Sequence, residues 1–339
     1  MIADRPQVRE LSGGRLHLSH GPIDVVLRAW GEPEAVAAAY RAAAGRFGDI
    51  LPELCRELPR LKASIGMEVS PESPVGRRMA AACRPFADVF VTPMAAVAGS
   101  VADELMAVML GAAALERAYV NDGGDIAVHC APGTALDIGV AGGFGRGPLP
   151  RLNGRVRIRH GDGVGGIATS GARGRSFSLG IAESVTVLAT DAATADAAAT
   201  LIANAVDIEH PAIVRRPASA LDPDSDLGDR LVTVSVGALP RGSVLEALEA
   251  GRRRAADHLA RGLIVDAALM LQGEAATAGP IVGWVERQRD PTPGGHNLEC
   301  VGSSLRSTQP TWITPGSDAA DRGLSRGLGR AARRMPVGP

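Results

Sequence analysis

The chain has 339 residues, 45% hydrophobic and only 3% aromatic, with 36 Lys+Arg against 37 Asp+Glu and a formal net charge of −1. That length can bury a substantial core, in one large domain or two intimate ones, built from aliphatic side chains. Near-neutral charge and scarce aromatics offer neither the electrostatic footprint nor the stacking platform of a nucleic-acid binder, so no nucleic-acid partner is expected.

The first elements are predicted at the N-terminus. Leu16 to Trp30 places apolar residues in alternation or short runs around His20-Gly21-Pro22, which predicts a hairpin. Apolar residues at three- and four-residue spacings from Glu34 to Leu61, behind Pro33, predict a long amphipathic helix or a helix pair broken near Pro52. A second helix is expected from about Gly99 to Leu115, then a strand from Ala118 to Asn121. Asn121-Asp122-Gly123-Gly124-Asp125 is a strong turn signal, since glycine accepts positive φ, and a strand from Ile126 to His129 follows.

Residues 138 to 166 are glycine-rich and enclose RVRIRH, whose Arg155, Arg157 and Arg159 share one face of a strand, most simply a solvated one. Ile167 to Asp207 reads as a glycine-rich turn, a strand from Ser184 to Ala189, and an alanine-packed helix from Ala193 to Val206. A polar loop from Asp222 to Arg230, the strand LVTVSVG, a helix from Gly242 to Arg261 and the apolar GLIVDAALMLQG complete the folded unit. Residues 286–339 are rich in Gly, Pro, Ser and Arg without sustained period, which predicts a disordered tail.

Cys55, Cys83, Cys130 and Cys300 show no C-x-x-C spacing and read as reduced thiols. The polar N-terminus and the lack of a run of about 18 apolar residues predict a soluble, cytoplasmic protein with no membrane partner. The seven histidines show no metal spacing, and no Ser-His-Asp triad can be assembled.

Several residues carry chemistry. Asp196 and Thr200, four apart on a helix, stack on one face beside small alanines and suit a hard cation with a phosphate ligand. Dipole preference for Asp near a helix start, and back-bonding by Thr, are the structural alternatives. Thr169, Ser170 and Gly171, with Gly174 behind, can cradle anionic oxygens, and Arg173 and Arg175 can bind them bidentately; an ordinary turn is the alternative. Asp222, Asp224, Asp226 and Asp229 imitate a calcium loop, but the glycine falls seventh and Thr233 occupies the glutamate position, so a solvated or capping loop is expected.

Three blocks in order, TPMAAVAGSVADELMAVML, AYVNDGGDIAV, and IATSG with ADAAAT, resemble the motifs of the thiamine-biosynthesis ApbE-like proteins, the FAD:protein FMN transferases. With HGPIDVVLRAW, RRMAAA and PDSDLGDRLVTVSVG added, the span from Arg15 to Gly273 is similar to an uncharacterised protein family (UPF) that forms a side branch of that superfamily. The resemblance implies an α/β (α+β) fold of mixed or antiparallel sheets covered by helices. One domain over 1–285 is expected, in two intimately packed halves of approximately 1–150 and 151–285.

The resemblance also implies a site. Asn121, Gly123, Gly124 and Asp125 match the turn that lies against the flavin nucleotide, and Asp103, Thr169, Ser170, Gly171 and Arg173 join them as cofactor contacts. Asp196 and Thr200, with Val97 at the start of the other motif helix, match the magnesium site. Magnesium and FAD, or a related phosphorylated cofactor, are the implied ligands. Two family features are replaced: Ala98 stands at the lysine of the A-K-G motif, and ARGRSFSLGIAE occupies the interval where the transferases carry H-I-x-D-P-x-T-G. No catalytic residue is assigned.

The expected function is magnesium-assisted binding of a phosphorylated cofactor with FMN-transferase-like chemistry. The alternatives are a non-catalytic flavin- or nucleotide-binding protein and an enzyme of another cofactor pathway, such as that of a pterin. Exposed strand edges in the glycine-rich middle could pair subunits into a homo-oligomer.

Overall fold

Period-two patterning builds the first strands. In the computed structural model, β1 (Gln7–Leu11), β2 (Arg15–His20) and β3 (Ile23–Trp30) form an antiparallel meander, and in β2 the buried Leu16, Leu18 and His20 alternate with more exposed neighbours. The structure describes residues 5–66, 70–143, 151–174 and 176–280, together with the strand backbones at 300–301 and 311–315; for 140–143 and 151–154 it describes the backbone alone.

Helices follow. α1 (Pro33–Arg56) begins with proline at its first turn, where the missing N–H is harmless. It runs straight through Pro52, and the break falls instead at Glu57, before the single turn α2 (Leu58–Leu61). Ile50, Leu51 and Leu54 are buried around the proline. Burial worth roughly 1.5–3 kcal/mol per large aliphatic side chain offsets the cost of an internal proline, about 3 kcal/mol. α3 (Pro74–Cys83) is capped by Ser73, whose Oγ accepts the Gly76 N–H at 3.0 Å. α4 (Val97–Ala112) follows a 3₁₀ turn at Pro93–Ala96. Together Pro93–Ala112 is long and apolar enough to cross a bilayer, with mean hydropathy 1.5; in the fold it is packed among other elements, with Asp103 and Glu104 buried on it.

β4 (Arg117–Asp122), β5 (Asp125–Cys130), β6 (Ala135–Gly143), β7 (Arg151–Arg159), β8 (Gly166–Ser170) and β9 (Ser184–Ala189) come next, then α5 (Ala192–Ala205). β10 (Ile213–Pro217) and β11 (Leu231–Val236) pair with each other, α6 (Arg241–Ala260) follows, and β12 (Asp266–Leu271) and β13 (Glu274–Ala278) form a hairpin turning at Gln272-Gly273.

The main sheet has nine strands in the order β1-β2-β3-β4-β5-β8-β9-β12-β13, every neighbouring pair antiparallel. It is continuous across the two expected halves of the chain. All six residues of β9 are buried, because both faces of the sheet are covered there. On one face lie the helices, whose cores centre on Phe47, Met79 and Leu105 near α1 and on Val185, Ile202 and Leu248 near α5 and α6. Against the other face packs the β6–β7 hairpin, through Leu136, Ile138, Val156 and Ile158 onto Tyr119, Ile126 and Ile167. Its outer face carries the exposed Arg155 and Arg159, while Arg157 forms a bidentate pair with Asp137 at 2.7 and 2.8 Å.

The sequence places everything after 285 outside the fold. Two short segments differ: β14 (Cys300–Val301) pairs with β15 (Thr311–Pro315), and β15 pairs with β6, Trp312 opposite Gly139. Thr-Trp-Ile-Thr has the β-branched and aromatic character that suits an added strand. The remainder of the tail lies outside the described residues.

Candidate functional site

The site begins where α4 and α5 cross. Gly99 makes the crossing possible, since a Cβ there would fall on the Ala192 carbonyl oxygen. Asp191 caps α5, its Oδ1 accepting the Thr194 N–H at 2.7 Å. Asp103 of α4 accepts the Ala192 and Ala193 N–H groups at 3.1 and 2.9 Å, satisfying donors that a helix start leaves open. Burial pushes the Asp103 carboxyl up to about 6, outweighing these hydrogen bonds. In the other direction, Asp196 of α5 accepts the Gly99 N–H at 3.1 Å.

Beside this crossing is a cavity of about 510 Å³. Its lining includes Val97 and Ala98 from the start of α4 and Asp196, Thr200 and Asn204 from α5. Asp122, Gly123 and Asp125 come from the β4–β5 turn, and Thr169, Ser170 and Gly171 from the end of β8. Positive φ at Gly123 (66°) and Gly124 (122°) lets that turn close, and the buried Asn121 braces it by accepting the Gly124 N–H at 2.8 Å. Asp125 Oδ1 accepts the Thr169 N–H at 3.3 Å, and the Thr169 hydroxyl bonds that of Thr186 at 2.9 Å, tying the turn to the sheet.

The cavity is acidic. Burial first, and then the nearby Asp125 and Asp122 carboxylates, hold the Asp196 carboxyl well above the usual range. Among the described residues no three His, Cys, Asp or Glu side chains converge as a metal cluster. The oxygen donors on offer at the helix crossing are the Asp196 carboxylate and the Thr200 hydroxyl, beside the backbone of Val97.

Of the residues singled out from sequence, Val97, Gly123, Asp125, Thr169, Ser170, Gly171, Asp196 and Thr200 are brought together in the lining. Asp103, Asn121, Gly124 and Arg173 are not: the first three hold helix and turn, and Arg173 pairs with Glu183 at 3.2 Å. Arg175 lies outside the described residues. Thr169 and Ser170 belong to strand β8, not to a turn, because they pair with Thr186 and Val185 of β9.

Sequence reasoning missed one wall. Lys62, Phe90, Thr92 and Phe177 line the cavity with Asp222, Asp224 and Asp226 of the loop between β10 and β11. That loop is tethered at three points: the Thr92 hydroxyl donates to Asp226, Lys62 Nζ donates to the Asp224 carbonyl, and the Arg230 guanidinium lies 3.2 Å from the Phe90 ring centroid. A compositional signal was present, since Lys62 is the sole lysine and Phe90 and Phe177 are two of only five phenylalanines.

Residues 8–277 match the family described as AbpE bacteria. A UPF0280 protein of Methanopyrus kandleri is 31% identical over 237 residues, covering 68% of this chain and 91% of its own length. A UPF0280 protein of Methanothrix thermoacetophila is 34% identical over 160 residues, covering 47% of this chain and 62% of its own. Among solved structures, the ApbE protein of Thermotoga maritima has a TM-score of 0.41 at 14% identity, covering 80% of this chain and 96% of its own. Matched along most of its folded length, as its motifs implied, this chain belongs to the AbpE bacteria family and has the UPF0280 proteins as its relatives.

Proposed function

We propose that the cavity binds a phosphorylated cofactor of the flavin-nucleotide class together with magnesium. The observation that carries this reading is the combination, in one cavity, of an acidic floor with the incompletely buried rings of Phe90 and Phe177. In a chain with so few aromatics, rings lining a cavity are suited to stacking on a planar heterocycle. The Asp122 and Asp125 carboxylates repel a phosphate unless a cation lies between them, which favours a metal at the phosphorylated end. The cross-capped helix start fits a hard ion: the Asp196 carboxylate, the Thr200 hydroxyl and the Val97 carbonyl are oxygen donors, and magnesium completes its shell with waters and ligand phosphate. When bound, the metal supplies neutralisation of phosphate charge and polarisation of a phosphoryl oxygen.

The chain's own residues position the ligand. Asn121 and the two glycines keep the β4–β5 turn flat enough for close backbone approach, and Asp125 locks it to β8. The motif resemblance described above points the same way. As a transferase, the protein would join an acceptor hydroxyl oxygen to the phosphorus of the FMN half of FAD as the pyrophosphate bridge breaks and AMP leaves. The replacement of the motif lysine by Ala98 favours the second reading, a binding protein that retains the cavity without the transfer.

Mass spectrometry of ligands released from the purified protein, followed by FAD titration with and without magnesium, tests the binding. Magnesium-dependent FAD or FMN binding is expected; no flavin-nucleotide binding under either condition sinks the reading. Incubation with FAD, magnesium and a threonine-containing acceptor then separates the two forms. AMP and a flavinylated acceptor mark the transferase, and bound flavin without AMP marks the binding protein.

A further inference from the structure

Lys62 is the only lysine in the 339-residue chain. It follows α2, and its side chain reaches the cavity, where it is the one cationic side chain among the described lining residues. Six aspartates line the same cavity: Asp122, Asp125, Asp196, Asp222, Asp224 and Asp226. Despite that, Lys62 forms no ion pair among the described residues, and its ammonium donates to the neutral backbone carbonyl of Asp224. Arginines elsewhere behave differently, as Arg46 does in binding the carboxylates of Glu53 and Glu104.

A lysine held by a carbonyl differs physically from one held by a carboxylate. Its charge is not cancelled locally, and its flexible stem lets the compact ammonium turn to a new acceptor. Exchanging a neutral carbonyl for an anionic oxygen gives a stronger hydrogen bond, since both partners are then charged. We propose that Lys62 is the anion-recognition residue of the cavity and that it contacts the phosphate of the bound ligand, releasing the Asp224 carbonyl. This assignment rests on the reading that the ligand is phosphorylated. It gives an acidic cavity a protein cation for phosphate oxygens that the metal does not reach, and it couples binding to the 222–230 loop, one of whose tethers is this bond.

A single lysine makes the test clean. Reductive methylation with ¹³C-formaldehyde preserves the positive charge and labels Lys62 and the terminal amine alone, so NMR follows Lys62 directly. FMN with magnesium should shift the Lys62 resonance, whereas riboflavin, which lacks the phosphate, should not. Lys62→Met should weaken FMN binding about tenfold or more, with riboflavin affinity and melting temperature unchanged. Inorganic pyrophosphate with magnesium is the second probe. If it shifts Lys62 while no flavin binds, the anion assignment stands and the flavin reading falls. If FMN binds, as its fluorescence quenching reports, while the Lys62 resonance and the Lys62→Met affinity do not change, the assignment is overturned and the proposed function survives. No Lys62 response to either phosphate probe overturns it as well. So does a lower Lys62→Met melting temperature with unchanged FMN affinity, which would make Lys62 a loop tether only.

Discussion

Asp103 and Asp196 cap each other's helices. Asp103, on α4, accepts the first N–H groups of α5, while Asp196, on α5, accepts the Gly99 N–H at the start of α4. The two carboxylates thus hold one crossing from opposite sides, but their surroundings differ: Asp103 is buried among protein atoms, and Asp196 lines the cavity. That difference divides a structural carboxylate from one available to a ligand.

Substitutions at the two positions should therefore diverge. Asp103→Ala leaves two buried N–H donors without their acceptor and should cost about 2 kcal/mol or more, measured by urea denaturation. Asp196→Asn keeps volume and an oxygen for Gly99 while removing a carboxylate that burial and Asp125 disfavour. Its melting temperature should not fall, but its ligand affinity should lose magnesium dependence. A magnesium titration that still raises affinity in this variant would falsify the cation assignment.

Gly99 is the geometric condition for that arrangement. A Cβ there meets the Ala192 backbone rather than a flexible side chain, so relief requires the helices to separate. Gly99→Ala should destabilise the fold by about 1–3 kcal/mol despite alanine's better helix propensity. An unchanged denaturation midpoint would mean that the crossing is looser than described.

His258 sets an acid limit on stability. It is fully buried on α6 with its ring 4.8 Å from that of Phe86, and neither ring nitrogen has a hydrogen-bond partner among the described residues. Burial, and then the Arg254 charge, push its pKa down to about 4 from 6.5. The folded state therefore binds fewer protons than the unfolded chain between these values. The resulting stability is present above pH 6.5 and is lost as pH falls through about 4. His258→Leu should melt at least as high as the parent at neutral pH, since it removes two unpaired buried nitrogens. It should also lose less stability on acidification; melting curves from pH 7 to 4 that fall in parallel would exclude this role.

Arg46 joins α1 to α4. Its Nε meets Glu104 at 2.8 Å and its terminal nitrogens meet Glu53 at 3.1 and 2.7 Å, with little of the cluster exposed. Arg46→Leu leaves the buried Glu104 with the longer Arg78 contact at 3.5 Å as its remaining ion pair among the described residues, and should cost about 2 kcal/mol, less than breaking a buried pair outright. The double variant Arg46→Leu with Glu104→Leu should recover part of that loss in chemical denaturation, whereas no recovery would show that the arginine acts through packing.

Phe177 is 37% exposed while lining the cavity. Phe177→Ala should leave stability nearly unchanged and weaken flavin-nucleotide binding about tenfold, the loss expected for one stacking partner. Equal FAD affinity in parent and variant would remove this ring from the binding surface.

Much of this molecule is legible in one dimension. Alternation in β2, the Asn121–Asp125 turn and the capped alanine helix α5 are each decided by neighbours within a few residues, through pleat, glycine φ and helix period. The motif blocks located Asp196, Thr200 and the glycine turn for the same reason. Asp103 was legible as a motif position but not as a cap for α5, because its partners lie 89 and 90 residues away in sequence. Lys62, Phe90 and the Asp222–Arg230 loop carried no local signature of a cavity wall. Sequence by itself determined the family and the larger elements with a clear local period or turn, but not β1, α3 or β10. Only the tertiary structure decided which carboxylate supports a helix and which faces the cavity, since sheet pairing and the α4–α5 crossing bring distant segments to the same place.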